Sequence, residues 1–111
     1  MYRRVVVTGL GAVTPVGNTM RETWEALVAG RSGIARITAF DPSTLSVQIA
    51  GEVKNFHPED LLDIKELRHM DRNVQFAVVA ALEAVADAGL DMGAEDPEQV
   101  GVIFGSGAGG V

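Results

Sequence analysis

The glycines near the end of the chain have the spacing of a phosphate-binding motif. Gly105, Gly107 and Gly110 fit the G-x-G-x-x-G fingerprint, in which backbone N–H groups bind the pyrophosphate of a dinucleotide. The fingerprint also requires a following helix and an acidic residue about 20 positions later, and the 111 residues contain neither. A second pair, Gly9 and Gly11, has a proline where its helix should begin. Both glycine runs are therefore interpreted as tight turns or close backbone contacts, with dinucleotide binding as the alternative.

Few other side chains could act as nucleophiles or metal ligands. Ser106 lies between two glycines, but the G-x-S-x-G spacing of a nucleophile elbow is not met and no histidine follows as a base. The two histidines, His57 and His69, do not have the i, i+4 spacing of a zinc-binding helix. The sequence contains no cysteine, which removes disulfides, thiolate ligands and a cysteine nucleophile. We therefore expect no metal site in this chain.

A basic cluster stands out in an otherwise acidic chain. Lys65, Arg68 and Arg72 would share one face of a continuous helix, and His69 lies between them in the sequence. One interpretation is a solvated helix face that neighbouring carboxylates balance. The other is a docking point for an acidic partner. The residues alone leave both open.

Length, composition and charge limit the function classes. The chain has 111 residues, is 47% hydrophobic and 22% charged, and is therefore predicted to form one globular domain. Its 15 acidic and 9 basic side chains give a net charge of −6, so neither nucleic acid nor an anionic membrane is an expected partner. The sequence has no apolar stretch of membrane-spanning length and no clear signal peptide. We predict a cytoplasmic protein.

The hydrophobic pattern predicts alternating strands and helices. Strands are expected where short apolar runs end at glycine or alternate with polar residues, and helices where a capping residue precedes periodic apolar positions. Thr19 and Glu22 form a candidate capping box, with Met20, Trp24, Leu27 and Val28 on one face. The predicted elements are strands at 4–9, 47–53 and 100–104, a helix from Thr19 to Gly30, a helical turn at 58–60, helix or turn at 65–70 and a long helix from Asp71 to Gly89.

The longest predicted helix is apolar nearly all round. Between Val74 and Ala86 the only polar residues are Gln75 and Glu83, so the helix needs cover on more than one side. The other elements are too few to provide that cover. A strand that runs into a glycine-rich loop also normally leads to a further element. We expect the 111 residues to be the N-terminal part of a longer protein.

Several motifs, in their order and spacing, resemble the opening of the β-ketoacyl-acyl-carrier-protein synthases, most closely the type II condensing enzymes of bacterial fatty-acid synthesis. The resemblance covers essentially the whole chain. The matching positions are 3–11, 14–18, 24, 27, 29–30, 32–34, 40–41, 65–66, 68, 70–71, 105–107 and 109–110.

The resemblance implies a fold and a reaction. Members of this family have an α/β thiolase-like fold with α-β-α-β-α layers, so residues 1–111 would be part of its N-terminal half, truncated after the glycine-rich loop. The family works as a homodimer without a cofactor, because its substrates are carried on the phosphopantetheine arm of acyl carrier protein. A cysteine takes the acyl group, and two histidines assist condensation with malonyl-carrier protein. His57 and His69 do not match those histidines, so no catalytic residue is expected here and the chain alone is predicted to be inactive.

The resemblance also assigns two groups of site residues. Lys65, Arg68 and His69 match positions that dock the acidic carrier protein, and a lysine is frequent in the family where this chain has His69. Gly107 and Ala108 match the wall of the acyl-chain pocket, where a bulky aliphatic residue is frequent at the second position. Two alternatives remain: a polyketide ketosynthase or its non-catalytic chain-length partner, and a carrier-protein-binding module without catalysis.

Overall fold

The computed structural model describes residues 1–110, which form two compact units. Unit 1 combines Met1–Gly11 with the chain from Pro58 onward, and unit 2 is Ala12–His57. The regular elements among the described residues are the helices α1 (Met20–Val28), α2 (Ile64–Leu67) and α3 (Arg72–Ala88), the strands β1 (Ile34–Arg36) and β2 (Ile49–Gly51), and the 3-10 turns Pro58–Asp60 and Pro97–Gln99.

Helix α1 lies in unit 2 and begins and ends where the sequence predicted. The Thr19 hydroxyl accepts a hydrogen bond from the Glu22 N–H at 3.1 Å. The Glu22 carboxylate accepts one from the Asn18 N–H at 2.8 Å, one residue before the position that a capping box predicts. At the other end, Gly30 has a φ of 67°, a left-handed conformation that glycine adopts without a Cβ clash. The predicted helix limits are confirmed.

The buried face of α1 differs from the predicted one. Thr23 and Ala26 are only 6% and 1% exposed, whereas Trp24 and Leu27 are 60% and 57% exposed. A close approach by backbone accounts for the burial of Thr23: a Cβ on Gly17 would lie 2.5 Å from the Thr23 nitrogen and 2.7 Å from the Glu22 Cβ. Only small side chains fit a helix face that a turn approaches this closely. The apolar periodicity therefore predicted the helix and not the face that unit 2 buries.

Strands β1 and β2 form a two-stranded antiparallel sheet in unit 2. Their register pairs Ile34 with Gly51 and Arg36 with Ile49. A further hydrogen bond from the Ile37 N–H to the Gln48 carbonyl, 2.9 Å, extends the ladder by one step. The strand predicted over 47–53 is confirmed at its centre. Strand β1 falls between Gly30 and Ser46, where the sequence predicted no regular element.

Unit 1 contains the long helix and, before it, the short helix α2. Helix α3 ends as predicted at Gly89, whose φ is 65°. The basic cluster does not lie on one continuous helix, because α2 ends at Leu67 and α3 begins only at Arg72. Asp71 has the extended backbone of an N-cap, but its side chain makes no capping hydrogen bond. The condition for a shared face of Lys65, Arg68 and Arg72, one continuous helix, is therefore not met.

The two predicted buried strands of unit 1 are not strands in the structure. No strand is assigned over 4–9 or 100–104, and Val5 and Ile103 are 91% and 96% exposed. An extended segment becomes a strand only when its N–H and C=O groups pair with a neighbour. Within residues 1–110 these two segments have no such ladder. Val79 is the one buried apolar residue of α3, so the helix too is less covered than its composition predicts.

Candidate functional site

Three exposed side chains, called the basic patch below, lie on and just after helix α2: Lys65, Arg68 and His69. The helix starts where the Asp63 carboxylate accepts a hydrogen bond from the Lys65 N–H at 2.7 Å. This N-cap fixes the backbone of Lys65 and leaves its side chain in solvent. Arg68 is the C-cap residue of the same helix. The structure therefore keeps the three predicted docking residues together within one short, exposed segment.

The Gln75 side chain of helix α3 binds backbone on both sides of Arg68 and His69. The Gln75 amide nitrogen donates to the Leu67 carbonyl at 3.4 Å and to the Met70 carbonyl at 3.3 Å. These two bonds hold the corner between the helices. Arg72, the fourth member of the predicted cluster, lies beyond that corner with its guanidinium 5.0 Å from the centre of the Phe76 ring. A cation over an aromatic ring is attracted to it, so the Arg72 side chain lies with Phe76 of α3 and not with the basic patch.

The glycine-rich loop at 105–110 is shaped by its own serine. The Ser106 hydroxyl accepts a hydrogen bond from the Gly109 N–H at 2.9 Å, and Gly109 has a φ of 70°. This bond closes a turn that carries Gly107 and Ala108 at its exposed tip. The hydroxyl therefore serves as a turn acceptor, which accounts for a serine between glycines without a nucleophilic role.

The end of the glycine-rich loop lies against the start of α3. A Cβ placed on Gly110 would lie 2.6 Å from the Asp71 Cβ and closer still to its carboxyl group. Real Cβ atoms do not approach side chains this closely, so only glycine fits without movement. The sequence singled out Gly110 as part of a nucleotide fingerprint and missed this contact. Gly110 has no positive φ, so its lack of a side chain reflects this close approach and not the backbone conformation. The sequence alone does not distinguish these two reasons for a glycine.

The first glycine pair has the same explanation. A Cβ on Gly9 would meet the backbone of Ala84 and lie 2.6 Å from the Ala88 nitrogen, and one on Gly11 would meet the Ala80 carbonyl. The intervening backbone N–H, that of Leu10, donates to the Asp87 carboxylate at 2.9 Å. The interpretation of this pair as a close backbone contact is confirmed.

Unit 2 places a lysine among backbone carbonyls. The Lys54 ammonium donates to the carbonyls of Pro15 at 3.2 Å, Gly33 at 3.1 Å and Glu52 at 2.8 Å. Three segments distant in sequence thus converge on one cation. The proline belongs to the Thr14–Asn18 motif that the sequence analysis singled out, so Lys54 is a residue that holds this motif and that sequence reasoning missed.

The side chains of Glu52 and Asn18 also bind backbone groups within unit 2. Hydrogen bonds from the Ala39 N–H, the Thr38 N–H and the Thr38 hydroxyl lower the pKa of Glu52 below its ordinary value. The Asn18 amide donates to the carbonyls of Lys54 at 2.7 Å and Asn55 at 2.9 Å. Asn55 has the left-handed backbone conformation, with a φ of 52°, and its carbonyl accepts the second of these bonds.

Residues 1–110 contain no cluster of three or more His, Asp or Glu side chains that could hold a metal ion. The histidines considered above lie in different units, His57 in unit 2 and His69 in unit 1. The same described residues include no helix that is both long and apolar enough to span a membrane.

The family of the chain follows from comparison with known proteins. Residues 2–111 match the model of the β-ketoacyl synthase N-terminal domain. The chain belongs to this family, and it has the family's α/β thiolase-like fold.

Two individual proteins of this family are about half identical to the chain. The chain is 50% identical over 109 residues to a Staphylococcus aureus (strain COL) protein named 3-oxoacyl-acyl-carrier-protein synthase 2. It is 49% identical over 109 residues to a protein of the same name from Coxiella burnetii. Each alignment covers 98% of this chain and 26% of the relative, so the chain spans about a quarter of the length of these curated relatives.

A solved structure also resembles the chain. The ishigamide ketosynthase/chain length factor superposes with a TM-score of 0.73 at 43% sequence identity. The superposition covers 80% of this chain and 22% of that one. The similarity in fold therefore extends over most of the chain.

Proposed function

We propose that residues 1–111 are the N-terminal part of a 3-oxoacyl-acyl-carrier-protein synthase, an acyltransferase of fatty-acid biosynthesis. The observation that carries the proposal is 50% identity over 98% of the chain to a protein with that name. The reaction elongates an acyl chain by two carbons through decarboxylative Claisen condensation. The family match over residues 2–111 supports the class of enzyme, and the basic patch supports an acidic carrier as its partner.

The condensation needs groups that this chain does not have. A cysteine thiolate attacks the thioester of the acyl carrier and releases the carrier thiol. Loss of CO2 from malonyl-carrier protein then produces a carbanion, which attacks the enzyme thioester and releases the thiolate with the 3-oxoacyl product. The 111 residues contain no cysteine, so they contribute docking and pocket surfaces and are inactive alone. No cofactor is required beyond the substrates on the carrier's phosphopantetheine arm.

The basic patch is the proposed docking site for acyl carrier protein. Lys65, Arg68 and His69 are exposed and adjacent, and Asp63 is engaged in capping the helix that presents them. Charged groups at the rim of an interface steer an oppositely charged partner and raise the association rate.

A charge-reversal variant tests the docking role. Lys65→Glu combined with Arg68→Glu is expected to raise the KM for acyl carrier protein about tenfold and to leave kcat nearly unchanged, because the reversed charges repel the carrier. The measurement is steady-state kinetics of the complete protein at low salt. Arg31→Glu, an exposed arginine of unit 2, is the matched control and should leave both constants as they are. Equal effects of the two variants would contradict the docking role.

Gly107 and Ala108 are the proposed wall of the acyl-chain pocket. Both lie exposed at the tip of the turn that Ser106 closes, and the alanine methyl leaves more room than a branched aliphatic side chain would. Ala108→Ile is expected to lower kcat/KM for the longest acyl substrates about tenfold relative to the shortest, since overpacking affects the longest chain most. Competition between acyl-carrier proteins of defined length measures this ratio. An unchanged ratio would exclude Ala108 from the pocket wall.

The second candidate function is a polyketide ketosynthase or chain length factor. The TM-score of 0.73 with the ishigamide ketosynthase/chain length factor favours it. The two candidates differ in whether the protein elongates alone or requires a paired subunit. A carrier-binding module that does not catalyse is the alternative from another class. We propose a cytoplasmic homodimer for the fatty-acid enzyme.

Reconstitution of the complete protein that contains these residues decides among the candidates. Purified protein is mixed with acyl-carrier protein and malonyl-carrier protein, and the carrier-bound products are identified by mass spectrometry. One round that adds two carbons supports the fatty-acid synthase. Repeated condensation with a second subunit supports the polyketide class. Carrier binding without any condensation would overturn both and leave the binding module.

A further inference from the structure

The glycine-rich loop has two fixed points and an exposed tip between them. One fixed point is the hydrogen bond from the Gly109 N–H to the Ser106 hydroxyl. The other is the approach of Gly110 to the Asp71 side chain, where an added Cβ would lie 2.6 Å from the Asp71 Cβ. By contrast, a Cβ on Gly105 or Gly107 would have no atom within 4 Å. The position of the loop relative to α3 therefore depends on the Asp71 contact.

Within residues 1–110, the Asp71 side chain has no capping role at the start of α3. As the N-cap of α3 it supplies extended backbone, φ −65° and ψ 159°, but it makes no side-chain capping bond. A helix tolerates glycine at this position at a cost of only a few tenths of a kcal/mol. The residue that lies against the Asp71 side chain is Gly110.

We propose that Asp71 is a positioning residue for acyl-chain selectivity, acting through its contact with Gly110 to set the place of Gly107 and Ala108. The proposal rests on the proposed function, because it gives the loop the role of a pocket wall. Displacing a group that contacts substrate by about 1 Å is sufficient to lower a rate severalfold or more. The longest acyl chain contacts most of the wall and is the most sensitive to its displacement.

Asp71 also connects this wall to the basic patch. It is the residue at which α3 begins, and Gln75 one turn later holds the carbonyls of Leu67 and Met70. The docking segment and the loop are therefore attached to the same first turn of one helix, on opposite sides of Asp71 in the sequence. A displacement of the loop is expected to alter selectivity first, and docking of the carrier much less.

A set of variants in the complete protein tests the role of Asp71. Gly110→Ala introduces the collision, and Gly105→Ala adds the same methyl group to the same loop where nothing lies within 4 Å. Asp71→Gly combined with Gly110→Ala removes the colliding side chain. The measured quantity is kcat/KM for a long relative to a short acyl-carrier protein, together with the KM for the carrier itself.

We expect Gly110→Ala to lower the long-to-short ratio about tenfold while the carrier KM changes less than twofold. Gly105→Ala should keep the wild-type ratio, and the double variant should recover most of it. A ratio that is equal in both single alanine variants, or a double variant no better than Gly110→Ala, would overturn the role of Asp71. A loss of stability alone would lower all substrates equally.

The remaining outcomes are also decisive. If Gly110→Ala does not fold, a double variant that folds with the wild-type ratio supports the proposal, and one that also fails to fold overturns it. If the wild-type protein condenses nothing, the proposed function fails and the selectivity role fails with it. Wild-type condensation with unresponsive variants removes only the role of Asp71.

Discussion

The contacts within unit 1 differ in kind from those within unit 2. In unit 2, the polar side chains of Lys54, Glu52 and Asn18 bind backbone groups from segments distant in the sequence. In unit 1, Gly9 and Gly11 bring backbone directly against the backbone of helix α3. Hydrogen bonds depend on a few directed atoms, whereas close approach depends on the absence of a Cβ.

The two kinds of contact respond differently to substitution. A polar side chain that is removed from unit 2 leaves exposed carbonyls that water can solvate, so the loss is moderate. A methyl group added at a close contact in unit 1 has no space, so the backbones must separate. The contrast predicts large effects for the smallest possible substitution in unit 1 and smaller effects for the removal of a whole charged group in unit 2.

The largest expected effect is that of Gly11→Ala in unit 1. The added methyl group would collide with the Ala80 carbonyl, and we expect the free energy of unfolding to fall by about 3 kcal/mol. Urea denaturation of the complete protein measures the change. Gly101→Ala is the control, because a Cβ there has no neighbour within 4 Å. If both variants have the same stability, the close contact is not what constrains Gly11.

A smaller effect is expected for Lys54→Met in unit 2. The methionine keeps the length of the side chain but loses the ammonium that binds three carbonyls, at a cost of about 1 kcal/mol because water replaces it. Lys65→Met, at an exposed lysine of unit 1, should change the stability by less than about 0.5 kcal/mol. A loss for Lys54→Met equal to that of Gly11→Ala would contradict the difference between the units.

The smallest expected effect is the pH dependence of the stability that the Glu52 carboxylate contributes. Because hydrogen bonds lower the pKa of the folded carboxyl below 4.5, its stabilising contribution is fully present above that pH. The contribution is lost as the pH falls through the lowered pKa of the folded state. Amide NMR shifts of Thr38 and Ala39 should titrate with a midpoint below 4.5, and Glu52→Gln should abolish this titration. A midpoint at or above 4.5 would rule out the proposed hydrogen-bonding cause.

The sequence predicted those parts of the fold that depend on local chemistry. Thr19 and Gly30 delimit α1, and Gly89 ends α3, because capping and left-handed glycine involve only neighbouring residues. The buried face of α1 was not predictable in the same way, since Thr23 is buried against a turn at Gly17 whose approach the apolar periodicity does not encode. Local signals predict where helices begin and end better than what covers them.

The strands and the site show the same limit. Segments 4–9 and 100–104 have strand-like composition, but pairing depends on a neighbouring strand and not on the segment itself. The exposed position of Lys65 and Arg68 agrees with their predicted role at a surface, whereas the break after Leu67 follows from the two Gln75 hydrogen bonds. The Asp71–Gly110 contact joins residues far apart in sequence and has no signal in either neighbourhood.

The hydrogen bond between Leu10 and Asp87 has a consequence for synthesis of the chain. Its donor leaves the ribosome 77 residues before its acceptor. At about 5 to 20 residues per second, the N-terminal segment waits roughly 4 to 15 s for the helix against which Gly9 and Gly11 pack. During that interval the backbone of Gly9 and Gly11 has no native neighbour on α3, and the Leu10 N–H has no acceptor there.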